Sequence, residues 1–325
     1  MPDDRSPVVS VCIQTYQHAA FIAQCIESVL QQQTDFSFEI IIGEDDSTDG
    51  TRDICIRYSQ KYPGIIRLFL RSEKDKIYIN GEKTGRYNMI NNLKAARGKY
   101  IALLDGDDYW PDPHKMQKQV DHLAANPGYS ICYCDFYTLK NDKLYRHSSL
   151  KKKLFQPKPA DLAHHCFIQP CTCMFRNPGF DSIPDHYWKL PVLDYCLFLE
   201  AAGRGKIFYI KKYMAVYRHH PTGFWIGAGK EKNLIRLLNF LDIMIPHSQG
   251  IIQKKLKQQR IRRIKQLMRW YIRTKQHEKL YSLKEKLEMP SSAVKIKNIN
   301  GYIRLNQIRY AFKKIITLKK GRRTE

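Results

Sequence analysis

Between Val8 and about Leu104, short apolar runs alternate with stretches of helical period, and this alternation leaves few folds open. Val8 to Ile13, Phe38 to Ile42, Ile65 to Leu70 and Tyr100 to Leu104 read as strands. Between them Phe21, Ile22, Cys25, Ile26, Val29 and Leu30 mark one face of a helix. Ile54, Cys55 and Tyr58 mark a second helix, and a third ends near Arg97 and Gly98. Strands alternating with helices predict a mainly parallel sheet, flanked by helices and joined by right-handed crossovers. In open sheets of this kind ligands bind beyond the carboxyl ends of the strands. Thr15 after the first strand, Glu44 and Asp45 after the second, and an acidic segment after the fourth are therefore expected to converge.

That acidic segment, IALLDGDDYWPDP over 101–113, carries Asp105, Asp107 and Asp108 directly after an apolar run. Like charges this close repel and raise one another's pKa, so they are stable chiefly when a cation or fixed donors neutralise them. Hard oxygen ligands suit Mg2+ or Mn2+, which bind through one or two carboxylates plus substrate phosphates. An Asp-Gly turn in solvent is the plainer alternative.

After Pro113 a helix with Met116, Val120 and Leu123 leads to a strand from Ile131 to Tyr137, and the polar, Lys-rich residues 138–160 read as a loop. Cys171 to Phe175, Lys206 to Ile210 and Met214 to Tyr217 read as strands, with an apolar helix from Val192 to Ala202. From about Lys230 the texture changes to long basic helices, broken at Pro246, Gly250 and Pro290 to Ser292. The expected division is an α/β domain over 1–229, in two halves at 8–110 and 111–229, followed by a basic helical region at 230–325.

The charge follows that division. From Lys230 onward there are 26 Lys/Arg against six Asp/Glu, so +20 of the net +24 belongs to the tail. With 43% hydrophobic residues the chain has the composition of a globular protein. Nine scattered cysteines, an odd number, do not read as a disulfide framework, and no signal-like apolar stretch precedes Val8. A reducing, cytoplasmic setting is the expectation. No run approaches the ~18 apolar residues of a membrane span, so any membrane contact would be peripheral.

Four segments in this order resemble the family 2 glycosyltransferases: VSVCIQTYQHAAFIAQCIESVL (9–30), EIIIGEDDSTDGTRDI (39–54), RGKYIALLDGDDYWPDPHKMQKQV (97–120) and LDYCLFLEAAGRGKIFYIKKYMAVYRHH (193–220). The resemblance covers nearly all of residues 8–225. It implies a GT-A type α/β fold and inverting transfer of a sugar from a nucleoside diphosphate donor, with UDP the expected nucleotide. The implied acceptor is a glycan or lipid-linked molecule of cell-surface polysaccharide synthesis. By resemblance Thr15, Glu44 and Asp45 hold the base and ribose. The family commonly has two Asp followed by Gly-Ser where this chain has Glu44, Asp45, Asp46 and Ser47. Ser47, Thr48 and Asp49 also suit the start of the next helix.

Asp105 and Asp107 occupy the family's D-x-D positions, which implies that Asp105 meets the ribose and metal-bound water while Asp107 ligates Mn2+ or Mg2+ on the diphosphate. Such a cation stabilises the leaving nucleotide as a Lewis acid. Asp108 is expected to orient the loop, and Tyr109 and Trp110 to pack the pocket floor or the core. Asp194 matches the family's catalytic base, which takes the acceptor hydroxyl's proton during in-line attack. A position near a helix start also favours a carboxylate. Arg218, His219 and His220 follow the last strand as in the family's Tyr-Arg-x-His pattern, which selects His220 as a metal or diphosphate ligand and Arg218 as a phosphate contact; a structural surface role for the histidines remains open. Asn88 and Arg86 lie where the family meets its donor.

Two further patterns have competing readings. Cys132-x-Cys134, His164, His165, Cys166 and Cys171-x-Cys173 could be set out as a zinc site, but the spacing is not the usual one and the alternation suits small buried hydrophobes. In the tail, Ile252, Leu256, Ile264, Leu267, Met268, Tyr271 and Ile272 fall on one face of a helix rich in Lys and Arg. This reads equally as a surface for anionic lipid and as a face packed on the catalytic domain or on a second copy, so a homo-oligomer is left open. Aromatic residues among the tail's charges raise nucleic acid as a partner, but no binding signature accompanies them. The rival enzyme class, a nucleotidyltransferase, needs a Gly-rich loop near the first strand, and TYQHAAF has no glycine. A basic RNA- or lipid-binding protein with a degenerate site is the alternative outside enzymes.

Overall fold

The computed structural model describes residues 6–147 and 156–286. Its elements in chain order are β1 (Val9–Thr15), α1 (Ile22–Leu30), β2 (Phe38–Glu44), α2 (Thr51–Lys61), β3 (Ile66–Leu70), β4 (Ile77–Ile79), β5 (Glu82–Thr84), α3 (Arg86–Ala95), β6 (Tyr100–Asp105), α4 (Lys115–Ala125), β7 (Tyr129–Lys140), β8 (Lys143–His147), α5 (Pro159–His164), β9 (Met174–Arg176), α6 (Leu193–Arg204), β10 (Lys206–Arg218), α7 (Gly229–Met244), α8 (Gly250–Arg273) and α9 (His277–Lys286).

Eight strands form one sheet in the order β10-β7-β9-β6-β1-β2-β3, with β8 paired to β7. The pairs β1–β2, β1–β6, β2–β3 and β7–β10 are parallel, and β9 runs antiparallel to both β6 and β7. The sheet is thus mostly parallel, and helices cover it on both faces. That is why the central strands are near-continuous apolar runs. Their side chains still alternate: Cys12, Ile41, Ile101 and Leu103 join one core cluster, while Val11, Ile13, Ile40, Ile42, Ala102 and Leu104 join the other. α1 closes the second face with Ile22, Cys25, Ile26 and Val29, a spacing of three and four that makes one helical stripe. Each such aliphatic, fully buried, contributes about 1.5–3 kcal/mol.

Three expectations change. Residues 138–160 are not all loop: β8 folds back on β7 through the two-residue turn Asn141-Asp142, where φ is 48° and 58°. Both positions need the left-handed region, which Asn and Asp tolerate, so this is the tight turn that suits twisted hairpins. The run from Cys171 to Phe175 is interrupted, because Pro170–Thr172 makes a turn of 3-10 helix and only Met174–Arg176 is strand. The two strands expected in 206–217 are a single β10, with register shifts between Ile210 and Tyr213 and between Tyr213 and Ala215.

The chain forms two compact units. One holds the residues up to Gly227 together with Asn239–Gln259, and the other holds Ala228–Leu238 with the described residues from Arg260 on. Phe240, Leu241, Met244 and Leu256 belong to the core of the first. In the second, Leu234, Leu238, Ile264, Leu267, Met268, Tyr271 and Leu280 make a small apolar cluster. Most of the apolar stripe of α8 is therefore covered within the chain, while Lys254, Lys257, Lys265, Arg269 and Arg273 are exposed. The expectation of basic helices over 287–325 lies outside the described residues. Among the described residues no helix is long and apolar enough to cross a membrane.

Candidate active site

Parallel register brings three strand ends level. Thr15 pairs with Glu44 across β1–β2, and Gln14 pairs with Asp105 across β1–β6. At β1 the strand order reverses direction, with β2 on one side and β6 on the other, which is the switch point where such sheets open a crevice.

Beyond Asp105 the chain turns through Gly106. A Cβ there would lie 2.6 Å from Thr15 Oγ1 and 2.9 Å from His18 Nδ1, so only glycine lets the acidic loop lie against the turn after β1. Asp107 is thereby delivered to two imidazoles. His220 Nε2 lies 2.8 Å from Asp107 Oδ2, and His18 Nε2 lies 3.9 Å from the same oxygen. The other side of the loop is clamped to β10: Val216 N–H donates to Tyr109 O at 2.8 Å, and Arg218 N–H donates to Asp108 Oδ1 at 2.9 Å. Asp108 is buried, and its carboxylate fixes the strand that presents Arg218 and His220. Trp110 is core, with its indole N–H on Cys171 O at 2.7 Å.

The acids are pushed in different directions. Burial, with Asp107 and Asp194 close by, pushes the Asp105 carboxyl well up. Burial acts the same way on Asp107, but the hydrogen bond from His220 and the nearby His18 outweigh it and hold this carboxyl low. Asp194, the second residue of α6, is raised by burial, against the opposing effects of the Tyr195 N–H that it accepts at 2.8 Å and of the Arg86 charge. Arg86 starts α3, is buried, and has no hydrogen-bond partner for its Nε; burial pushes it down to about 10 while Asp194 favours its charged form. Asp194 is close enough to Asp105 to raise it further, although the two lie 89 positions apart in sequence.

On the other flank Glu44 is fully buried, accepting Ser47 N–H at 2.7 Å and Arg52 Nε at 2.5 Å. Asp46 takes φ 66°, in the left-handed region that Asp tolerates, and it also pairs with Arg52 at 3.3 Å. Asp45 pairs with Lys76 at 2.6 Å, and the Lys76 ammonium sits 4.5 Å from the Tyr16 ring centroid. Asn88 is buried beneath the strands: its amide donates to Gly43 O at 2.7 Å and accepts from Arg71 at 3.3 Å. The Arg218 guanidinium lies between the Phe21 and Tyr109 rings, 4.9 and 5.0 Å from their centroids, with its Nε unpartnered.

The structure thus brings Thr15, Asp105, Asp107 and His220 to one place, sets Asp194 within electrostatic reach, and puts Glu44 and Asp45 at the adjoining strand end. Asn88 lies under that floor. The sequence reading missed His18, Lys76 and Gln14. His18 falls three residues after Thr15, a spacing that allows one turn to return a side chain to the strand end, and its Nδ1 lies 3.2 Å from Thr15 Oγ1. Lys76 precedes strands of three residues each, too short to leave a periodic signal.

A divalent cation fits this donor set. Two ligands at ~2.1 Å on adjacent corners of an octahedron lie about 3 Å apart, and Asp107 Oδ2 and His220 Nε2 are 2.8 Å apart. Among the described residues no third His, Cys, Asp or Glu joins these two in a cluster of ligand atoms all within 4.8 Å; a cation held by so few side chains is of the kind completed by water and phosphate oxygens. Among the described residues Cys132, Cys134, Cys171 and Cys173 join no cluster of metal-ligating atoms: Lys115, fully buried, lies among them, donating to Gln119 at 2.8 Å with its ammonium 3.9 Å from the Trp110 ring centroid. A fixed ammonium there opposes a second cation.

Comparison with known proteins follows the same lines. The family model described as glycosyl transferase family 2 matches residues 10–183. An uncharacterized protein of Mycobacterium tuberculosis is 33% identical over 223 residues, 68% of this chain and 61% of the relative. This chain therefore spans about three fifths of the length of that relative. A UDP-Glc:alpha-D-GlcNAc-diphosphoundecaprenol beta-1,3-glucosyltransferase of Escherichia coli is 29% identical over 72% of this chain and 85% of its own. Residues 1–349 of S. aureus TarS, solved with UDP-GlcNAc, superpose with a TM-score of 0.62 at 13% identity, over 93% of this chain and 88% of that one. A mannosyltransferase of Pyrobaculum calidifontis, solved with GDP-Man and Mn2+, gives 0.56 at 14% identity, over 94% and 83%. These two likenesses bear on the fold, which is that of the GT-A glycosyltransferases.

Proposed function

Because the chain belongs to glycosyl transferase family 2, we propose that it is a metal-dependent, inverting glycosyltransferase that moves a sugar from a UDP-linked donor to a glycan or lipid-linked acceptor in cell-surface polysaccharide synthesis. The observation that carries the reading is the pairing of an acidic, His-supported cluster at the end of β6 with a separate, raised carboxylate at Asp194.

In this reading Thr15, Glu44 and Asp45 frame the base and ribose, Glu44 by holding the turn that follows β2. Asp105 faces the ribose end of the diphosphate, and Asp107 with His220 forms the cation's protein ligands. Mn2+ or Mg2+, when bound there, neutralises charge that develops on the departing diphosphate. Arg218, near the Phe21 and Tyr109 rings, adds a positive charge for the same phosphates. Asp194 accepts the proton of the acceptor hydroxyl as that oxygen attacks the anomeric carbon opposite the diphosphate, and the configuration inverts. Burial suits a base by bringing its pKa toward working pH. Asn88 acts from below by holding Gly43, and Arg86 by keeping Asp194 ionised.

The activity for which the Escherichia coli relative is named supports a UDP donor and a lipid-linked acceptor, and the Mn2+ in the Pyrobaculum calidifontis complex supports the cation. The exposed basic face of α8 supports a cytoplasmic enzyme held at the inner membrane surface. A screen of nucleotide sugars for donor hydrolysis tests the reading. Release of UDP from one donor, dependent on Mn2+ and stopped by chelation, is expected; no turnover of any donor with metal present contradicts it.

A further inference from the structure

One turn along α6 from Asp194, three metal-ligating side chains of different chemistry meet. His186, in the 3-10 turn Asp185–Lys189, and Cys196 and Glu200, one turn apart on α6, bring an imidazole nitrogen, a thiol sulfur and a carboxylate oxygen all within 4.8 Å of one another. No other group of this kind occurs among the described residues. We propose that His186, Cys196 and Glu200 form a zinc site, separate from the cation position at Asp107 and His220.

The distances are close to those a bound ion requires. Ligand bonds of ~2.1 Å to N and O and ~2.3 Å to S place tetrahedral neighbours about 3.4–3.6 Å apart. Cys196 Sγ lies 3.6 Å from Glu200 Oε1, and His186 Nε2 lies 4.0 Å from the same oxygen. An approach of roughly half an ångström brings the imidazole to bonding distance beside Glu200, and the thiol and imidazole ligand atoms already lie within 4.8 Å of each other. The His186 Nε2 atom is buried and has no hydrogen-bond partner, so that nitrogen has a capacity the protein itself does not meet.

The supporting shell is also present. Glu200 divides its oxygens: Oε2 accepts the Tyr187 hydroxyl at 2.5 Å and has Arg204 at 3.9 Å, while Oε1 is the atom turned to Cys196 and His186. Ligand carboxylates are characteristically oriented by such outer partners. The His247 ring stacks on His186, with centroids 4.1 Å apart, and holds that imidazole in place. Mixed S, N and O donors match zinc and not the hard cations suited to the cleft. With three protein ligands a water fills the fourth position. His186 and Glu200 are partly exposed, which gives an ion access, and Cys196 is buried. Binding displaces the thiol proton to solvent as the sulfur–zinc bond forms. The ion would fasten α6, the helix that carries Asp194, to the segment before it.

The full chain is titrated with Co2+, whose bond to a thiolate gives near-ultraviolet charge-transfer absorption, and Zn2+ is counted by elemental analysis after gel filtration. The expected result is one tightly held Zn2+ per chain, and a Co2+–thiolate band in the native chain and in Asp107→Ala that is absent from Cys196→Ser. Should Cys196→Ser not fold, His186→Gln keeps the thiol and is expected to weaken Zn2+ binding at least ~10-fold. A native chain without the band, a band that survives Cys196→Ser, or unchanged Zn2+ affinity in His186→Gln overturns the proposal.

Discussion

Nε2 of His220 lies 2.8 Å from Oδ2 of Asp107, across 113 positions of sequence. The approach is built in the backbone. The Tyr109–Val216 bridge and the Arg218 N–H on Asp108 lock the loop after β6 to the end of β10, and the two side chains meet as a consequence. The proposed cation ligands Asp107 and His220 therefore depend on Asp108, which need not touch the ion.

Asp194 supplies a pH prediction. Its carboxyl is raised by burial, and as the proposed base it works only when ionised, so kcat/KM should climb with pH through a value above the usual carboxylate range. Arg86 favours the ionised form. Arg86→Gln should therefore move the acidic limb of the profile to higher pH, whereas Asp194→Asn should lower kcat about 10²–10⁴-fold at every pH. An acidic limb unmoved in Arg86→Gln would remove that arginine from the account.

Gly106→Ala places a methyl 2.6 Å from Thr15 Oγ1 and 2.9 Å from His18 Nδ1, in a site closed on both sides. Overpacking of this kind costs about 1–3 kcal/mol. A lowered melting temperature together with weakened UDP binding is expected in thermal denaturation and titration. An unchanged melting temperature would mean that the loop does not lie against β1 in solution.

The order of strands and helices, and the level at which Thr15, Glu44 and Asp105 end, were legible because burial on both faces imposes long apolar runs whose ends mark the crevice. What was not legible depends on pairing rather than period. The β7–β8 hairpin was hidden because its five outer residues are all exposed, although Asn141-Asp142 is a recognisable turn. Lys76 reaches Asp45 through a hairpin of two three-residue strands, and Lys115 is a buried ammonium that charge counting assigns to the surface. Asn88 reads as polar and available, yet its amide is committed to Gly43. The fate of the α8 stripe was open between lipid and protein. Leu256, Ile264, Leu267, Met268 and Tyr271 are buried within the chain, which leaves charge as the means of meeting a membrane.

That distribution predicts salt-sensitive membrane binding. Exposed Lys254, Lys257, Lys265, Arg269 and Arg273 should each contribute about 1 kcal/mol toward an anionic surface at low ionic strength. Flotation with anionic vesicles should fall as salt rises, and fall again when Lys254, Lys257 and Lys265 are changed to Glu. Equal flotation on neutral vesicles would contradict an electrostatic contact.

The central claim is that Asp107 holds the diphosphate's cation while Asp194 serves the acceptor. Calorimetry of UDP with Mn2+ on the native chain, Asp107→Ala and Asp194→Asn tests it most directly. Mn2+-dependent UDP binding is expected in the native chain, lost in Asp107→Ala and kept at native affinity in Asp194→Asn, whose kcat for transfer falls about 10²–10⁴-fold. Native affinity in Asp107→Ala would contradict it.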